Sequence, residues 1–202
     1  QACLALFVQA LTQLPVVLFL LYRVWGRTGN FRALGVLPSR PVREIGSGVA
    51  ALLLALPVVG CVNLITVLIG ITFHQPRPDI GHEMLRSIGQ AESVWASVLL
   101  ISSAVIAAPL LEEGVFRGLI QTCLLDVFGR DKRWRLVLTT ALLFTLIHTQ
   151  VPWQVRPGLF ALGVILGWLY ERYGSLLACL VVHAGFNAVN VMLFIVVQSL
   201  AG

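Results

Sequence analysis

The stretch Leu110-Leu111-Glu112-Glu113-Gly114-Val115-Phe116-Arg117-Gly118 sets two adjacent carboxylates and a guanidinium between the apolar runs that end in Pro109 and begin at Leu119. An isolated pair of glutamates is ordinarily a solvated helix start. At membrane depth, however, an ionisable side chain costs ~3 kcal/mol or more unless it is paired or hydrated, so each one there marks a candidate functional site. On a helix, Glu113 and Arg117 are i and i+4 with the acid on the N-terminal side, the favourable order for an ion pair. Glu112 points about 100° away and lacks that partner. The spacing suggests a division of labour in which Glu113 and Arg117 pair while Glu112 is free to take a proton, and a rotated or irregular helix start would swap the two acids.

The rest of the chain supplies the membrane. Of its 202 residues, 58% are hydrophobic and 11% charged, against about 25% charged in soluble domains. The mean hydropathy is +0.90. We therefore expect an all-α, polytopic helical bundle in a lipid bilayer, with about six to seven transmembrane or intramembrane helices. The net charge of +5 comes from basic residues in the gaps between apolar runs, so it reports topology and excludes nucleic acid as a partner. Cys3, Cys61, Cys123 and Cys179 stand singly inside apolar stretches, without metal or redox spacing, and read as small apolar residues.

Spans of about 20 apolar residues are expected near residues 3–24, 46–73, 93–110, 134–149, 157–171 and 175–198, with a further helix near 111–128. The first run lacks a basic leader and a cleavage site, so it reads as a span rather than a signal peptide. Residues 1–92 are expected to form N-terminal helices and loops, and 93–202 a helical core, within one membrane domain. Arg23, Arg27, Arg32, Arg40 and Arg43, and then Arg130, Lys132, Arg133 and Arg135, mark two cytoplasmic loops. The gap at 74–92 balances Arg77 and Arg86 with Asp79, Glu83 and Glu92, and the gap at 150–156 carries only Arg156, so both read as the outer side. These sides agree only if 93–128 crosses once. A straight helix of that length is about 54 Å long and overshoots the bilayer. Pro109 is the expected breaker, which would put Glu112 and Glu113 just inside a new helical segment, where the helix dipole favours carboxylates.

Two other apolar runs carry histidine. In Phe144-Thr-Leu-Ile-His148, the ring and the imidazole share a face, and Phe144 reads as packing. In His183-Ala-Gly-Phe-Asn187, the amide follows the imidazole by one turn and Gly185 admits a close neighbour. A carboxylate, a histidine, and a histidine with an amide on three helices suffice for acid/base catalysis on a water molecule. No serine or cysteine nucleophile has a matching placement. His74 and His82 read as solvated outer-loop residues, and Trp153 and Trp168 as interfacial anchors.

EEGVFR at 112–117, FTLIH at 144–148 and HAGFN at 183–187 resemble, in order and spacing, the EExxxR, FxxxH and HxxxN motifs of the CPBP family: CAAX prenyl proteases of the Ras-converting type, bacteriocin-processing proteins and self-immunity proteins. The resemblance covers about residues 93–198. It implies a multi-pass, metal-independent glutamate endopeptidase of a prokaryotic plasma membrane, acting on a membrane-associated peptide or protein. It further implies Glu112 as the water-activating base, Glu113 and Arg117 in support, His148 beside the water, and His183 and Asn187 at the oxyanion. Rival readings are a zinc peptidase, a non-enzymatic scaffold or immunity protein, and a proton-coupled transporter. Zinc is disfavoured by the missing HExxH and by an amide at position 187, and transport by the lack of an inverted repeat.

Overall fold

The computed structural model describes residues 38–75, 83–91 and 93–201, together with Leu18 and Tyr22, and all regular structure among them is helical. The span expected near 3–24 lies outside the described residues. The long elements are α1 (Pro41–Thr72), α3 (Val94–Phe128), α4 (Arg133–Ile147), α5 (Arg156–Tyr173) and α6 (Leu177–Ala201), with a short α2 (Glu83–Gly89) before α3. α1, α3 and α6 are each long and apolar enough to cross a membrane. This is an all-α membrane bundle.

Pro41 starts α1, where its missing N–H costs nothing. The Glu44 carboxylate accepts from the backbone N–H groups of Ser39 at 3.1 Å and Arg40 at 3.0 Å, capping its own helix. α5 ends at Gly174, whose φ of +61° is left-handed and whose N–H returns to the Tyr170 carbonyl at 2.8 Å. That turn sends α6 straight back along α5.

Close approaches fix the helix directions. A Cβ on Gly48 would stand 2.8 Å from Val181 Cβ, and one on Gly185 would collide with Leu52, so α1 and α6 run parallel. Gly163 faces Ala141 and Gly167 faces Val137, so α4 and α5 are antiparallel. Arg117 bonds Gly163 and Gln121 bonds Gly167, which lays α3 parallel to α5. One end of the bundle therefore gathers Arg40, Arg43, Arg130, Lys132, Arg133, Arg135 and Arg172, the charge asymmetry expected of one membrane side. The core lies between α1, α5 and α6 around Ala55, Val59, Leu162, Leu166, Leu169 and Val182. Leu53, Leu64, Leu99, Ile106, Leu193 and Val197 are exposed, an apolar outer surface suited to lipid.

α3 corrects one expectation. Pro109 does not end a helix, and the 35 residues from Val94 to Phe128 run on through it. Backbone angles stay helical at Ala107, Ala108 and Gly114. The turn at Ser103–Ala107 is a π-turn in which the Ala108 N–H reaches back five residues to the Ser103 carbonyl, and this wider register shifts which carbonyl lacks the proline's N–H. Glu112 and Glu113 therefore sit in mid-helix, and the helix-dipole argument for them fails.

Gly48 and Gly60 separate packing from propensity on one helix. Gly60 has open space where a Cβ would go. Gly48→Ala should destabilise by about 1–3 kcal/mol through overpacking against α6, whereas Gly60→Ala should be neutral or stabilising by up to about 1 kcal/mol. Thermal unfolding of the two variants in one detergent checks this, and equal shifts would contradict the α1–α6 contact.

Candidate active site

Glu113, Arg117 and Gln121 recur every four residues along α3, which from Gly114 to Gln121 is again π-helical. All three are buried, at 0%, 1% and 0% exposure. Arg117 Nη1 donates to Glu113 Oε1 at 2.9 Å and Nη2 to the Gly163 carbonyl at 3.1 Å. Its guanidinium also lies over the Phe144 ring, 4.8 Å from the centroid. Gln121 Nε2 donates to the Gly167 carbonyl at 3.0 Å and to Glu171 at 3.1 Å, and Gln121 Oε1 accepts from Thr140 at 3.3 Å. The two α5 glycines leave their carbonyls open to these side chains and let α4 pack tightly behind them.

Glu113 Oε1 has a second partner, His183 Nδ1 of α6, at 2.8 Å. A carboxylate bound to a guanidinium accepts, so His183 carries a proton on Nδ1 and turns Nε2 toward Glu112. His148, just past the end of α4, makes the corresponding contact from Nδ1 to the Phe144 carbonyl at 2.6 Å. A carbonyl only accepts, so this ring too is protonated on Nδ1 and offers Nε2. Both Nε2 atoms stand 3.7 Å from Glu112 Oε2.

That separation is too long for a direct hydrogen bond, but an atom about 2.8 Å from each group would bridge it. Glu112 keeps 25% side-chain exposure and His148 21%, against 5% for His183. The site is thus open on the Glu112–His148 side and closed behind Glu113. Among the described residues, no partner stands on Glu113 Oε2 or Arg117 Nε.

Phe144 is the packing centre, fully buried and 4.6 Å from the His148 ring, 5.8 Å from the His183 ring and 5.2 Å from Phe116 by centroids. Asn187 Nδ2 donates to the Ala104 carbonyl at 2.9 Å. In the wide register set by Ala108 and Ser103, the donor for that carbonyl would be residue 109, which is proline. Asn187 replaces the missing N–H and ties α6 to the π-turn, committing one of its two amide protons.

All six residues singled out from the sequence therefore lie along facing parts of α3, the α4 terminus and α6. Glu112, Glu113, His148 and His183 meet within hydrogen-bonding or bridging distance, Arg117 joins through Glu113, and Asn187 holds the α3 turn preceding them. Gln121, Thr140, Gly163 and Gly167 escape a motif reading. Their signal is the four-residue repeat 113-117-121 matched by the glycine pair on α5. Among the described residues, no group of three or more His, Cys, Asp or Glu side chains has the geometry to hold a metal ion.

Two adjacent carboxylates of α3, one buried and one partly exposed, thus meet a histidine of α6 and a histidine just past the end of α4. Residues 94–189, just under half of the chain, match the family described as Rce1-like, type II CAAX prenyl endopeptidase Rce1-like, and over that stretch the chain is similar to it. The chain is similar to the UPF0177 protein YbdI of Lactococcus lactis subsp. lactis (strain IL1403), 30% identical over 95 residues, which cover 46% of this chain and 48% of that relative. It thus matches about half the relative's length. No solved structure matches the chain.

Removing the counter-charge should expose the cost of the buried guanidinium. Glu113→Gln is expected to destabilise by about 3–5 kcal/mol, the penalty of one charge left unpaired in the interior. Adding Arg117→Met should recover much of that loss. Reversible unfolding in detergent checks both, and a Glu113→Gln protein as stable as wild type would refute the pairing.

Proposed function

We propose that the protein is a multi-pass intramembrane endopeptidase in which Glu112 activates water without a metal. The carrying observation is that Glu113 is committed to Arg117 and His183, while Glu112 Oε2 faces two imidazole Nε2 atoms at 3.7 Å and remains partly exposed. The substrate is a membrane-associated peptide or protein, of the CAAX-terminal or leader-peptide kind, and the membrane a prokaryotic plasma membrane. The family match supports the reaction class.

In this reading, the Glu112 carboxylate takes one proton from a water held beside His148 as the water oxygen attacks the scissile carbonyl carbon. The oxyanion accepts from the second amide proton of Asn187, and from His183 Nε2 when that ring carries a proton on both nitrogens. The protonated Glu112 then passes its proton to the amide nitrogen, and the C–N bond breaks. Glu113 and Arg117 hold His183 in place.

Peptide termini are to be compared in membranes from cells carrying wild type, Glu112→Gln or no copy, at matched expression. Termini that appear only with wild type are expected. Identical termini in all three, with the protein folded and inserted, would replace the peptidase by the scaffold or immunity reading. Two further checks bear on mechanism. Activity should fall in acid as the base is protonated, and a rate unchanged down to about pH 4 would remove Glu112 from that role. Loss of activity on chelation, with recovery on added zinc, would overturn the metal-free reaction.

A further inference from the structure

Arg156 opens α5 as its first residue, where a cation opposes the helix dipole, and it is the one basic residue in the 150–156 gap at the end of the bundle away from the arginine cluster. Both local rules disfavour it. Its contacts resolve the conflict. Arg156 Nε donates to the Val151 carbonyl at 2.9 Å and Nη2 donates to the Thr149 carbonyl at 2.9 Å. These acceptors are the first and third residues after His148.

The segment between α4 and α5 is built on that fork. The His148 N–H bonds the Thr145 carbonyl at 3.2 Å, the Val151 N–H bonds the His148 carbonyl at 3.1 Å, and the Arg156 N–H bonds the Trp153 carbonyl at 3.3 Å. Farther along, the Thr66 hydroxyl of α1 donates to the Gln154 carbonyl, and Gly70 leaves room for Gln154 and Trp153. The far half of the segment is therefore anchored on α1, whereas the half carrying His148 is held from outside itself by Arg156.

We propose that Arg156 is a positioning residue for the site: by clamping the Thr149 and Val151 carbonyls it holds the His148 imidazole opposite Glu112. The proposal rests on the peptidase reading for its catalytic consequence, while the placement of His148 is testable without turnover. Only a planar fork reaches both carbonyls, since a lysine offers a single charged point. Arg156→Lys thus keeps the charge and loses the clamp.

The full chain in nanodiscs, with ¹⁵N-labelled histidine, gives the primary readout. Wild-type His148 should show one tautomer, protonated on Nδ1, and Arg156→Lys should show exchange between tautomers. Amide exchange should rise in 149–155 but not in α4 or α6. In cells, the yield of wild-type-only termini should fall roughly 10- to 100-fold, the scale for a reacting group displaced by about an ångström. Arg172→Lys, at the exposed far end of α5, should match wild type in every readout. An unchanged His148 signature with unchanged loop exchange in Arg156→Lys overturns the proposal, as does loosening spread over the whole bundle. Should the variant fail to fold, a tautomer mixture at His148 in wild type would overturn it equally. If wild type yields no new termini, the peptidase reading fails while the imidazole signature still decides the clamp.

Discussion

A guanidinium buried to 1% exposure in a membrane helix is the constraint from which the site follows. An unpaired charge in that position costs several kcal/mol, so Arg117 requires a carboxylate, and Glu113 one turn earlier supplies it. The other terminal nitrogen, Nη2, donates to the Gly163 carbonyl, which no side chain shields. The charged plane also requires an apolar face that tolerates a cation, which Phe144 gives. Glu113 in turn accepts from His183 and fixes that ring on α6. Three neighbouring helices are thus committed by one charge. Glu112 is the carboxylate that this arrangement leaves unspent.

The backbone of α3 solves a second problem. The helix must carry a polar centre through a proline without breaking, because any free carbonyl inside the bilayer is costly. A π-turn moves the register by one residue, so the proline leaves one carbonyl, that of Ala104, without its donor. Asn187 then serves that carbonyl from α6. The second π segment, Gly114–Gln121, lies directly after the glutamates, and the Thr122 hydroxyl bonds the Arg117 carbonyl within it at 3.1 Å. The two irregularities lie on either side of the double glutamate, the second directly after it, and π-turns recur at functional sites.

What could be read from the sequence was local. Glu113 with Arg117, and Phe144 with His148, are pairs four residues apart, and helix geometry alone brings their side chains together. The separation of Glu112 from Glu113 follows from the same angle. The apolar runs placed the long helices to within a few residues, apart from the start of α1, which lies about five residues before its expected position. The continuity of α3 was not legible, because Pro109 signals a break and its rescue comes from a side chain 83 residues removed from Ala104. Gln121 was equally hidden, since a lone glutamine near an apolar run has no partner until α5 is laid beside it. Arg156 was legible as a topology signal only, and its fork onto the chain just behind it appears once the loop is folded.

The two histidines are held by different means. His183 lies within α6, almost fully buried, on a carboxylate that is itself fixed by a buried arginine. To displace it, the bundle must open. His148 lies beyond the last turn of α4, partly exposed, with its ring on the Phe144 carbonyl and the following chain on the Arg156 fork. A few hydrogen bonds at a helix end open far more readily than a packed core. The site therefore joins a rigid half to a yielding one, and Glu112 stands between them. Its distance to His183 is set by the bundle as a whole, and its distance to His148 by the short segment that Arg156 closes.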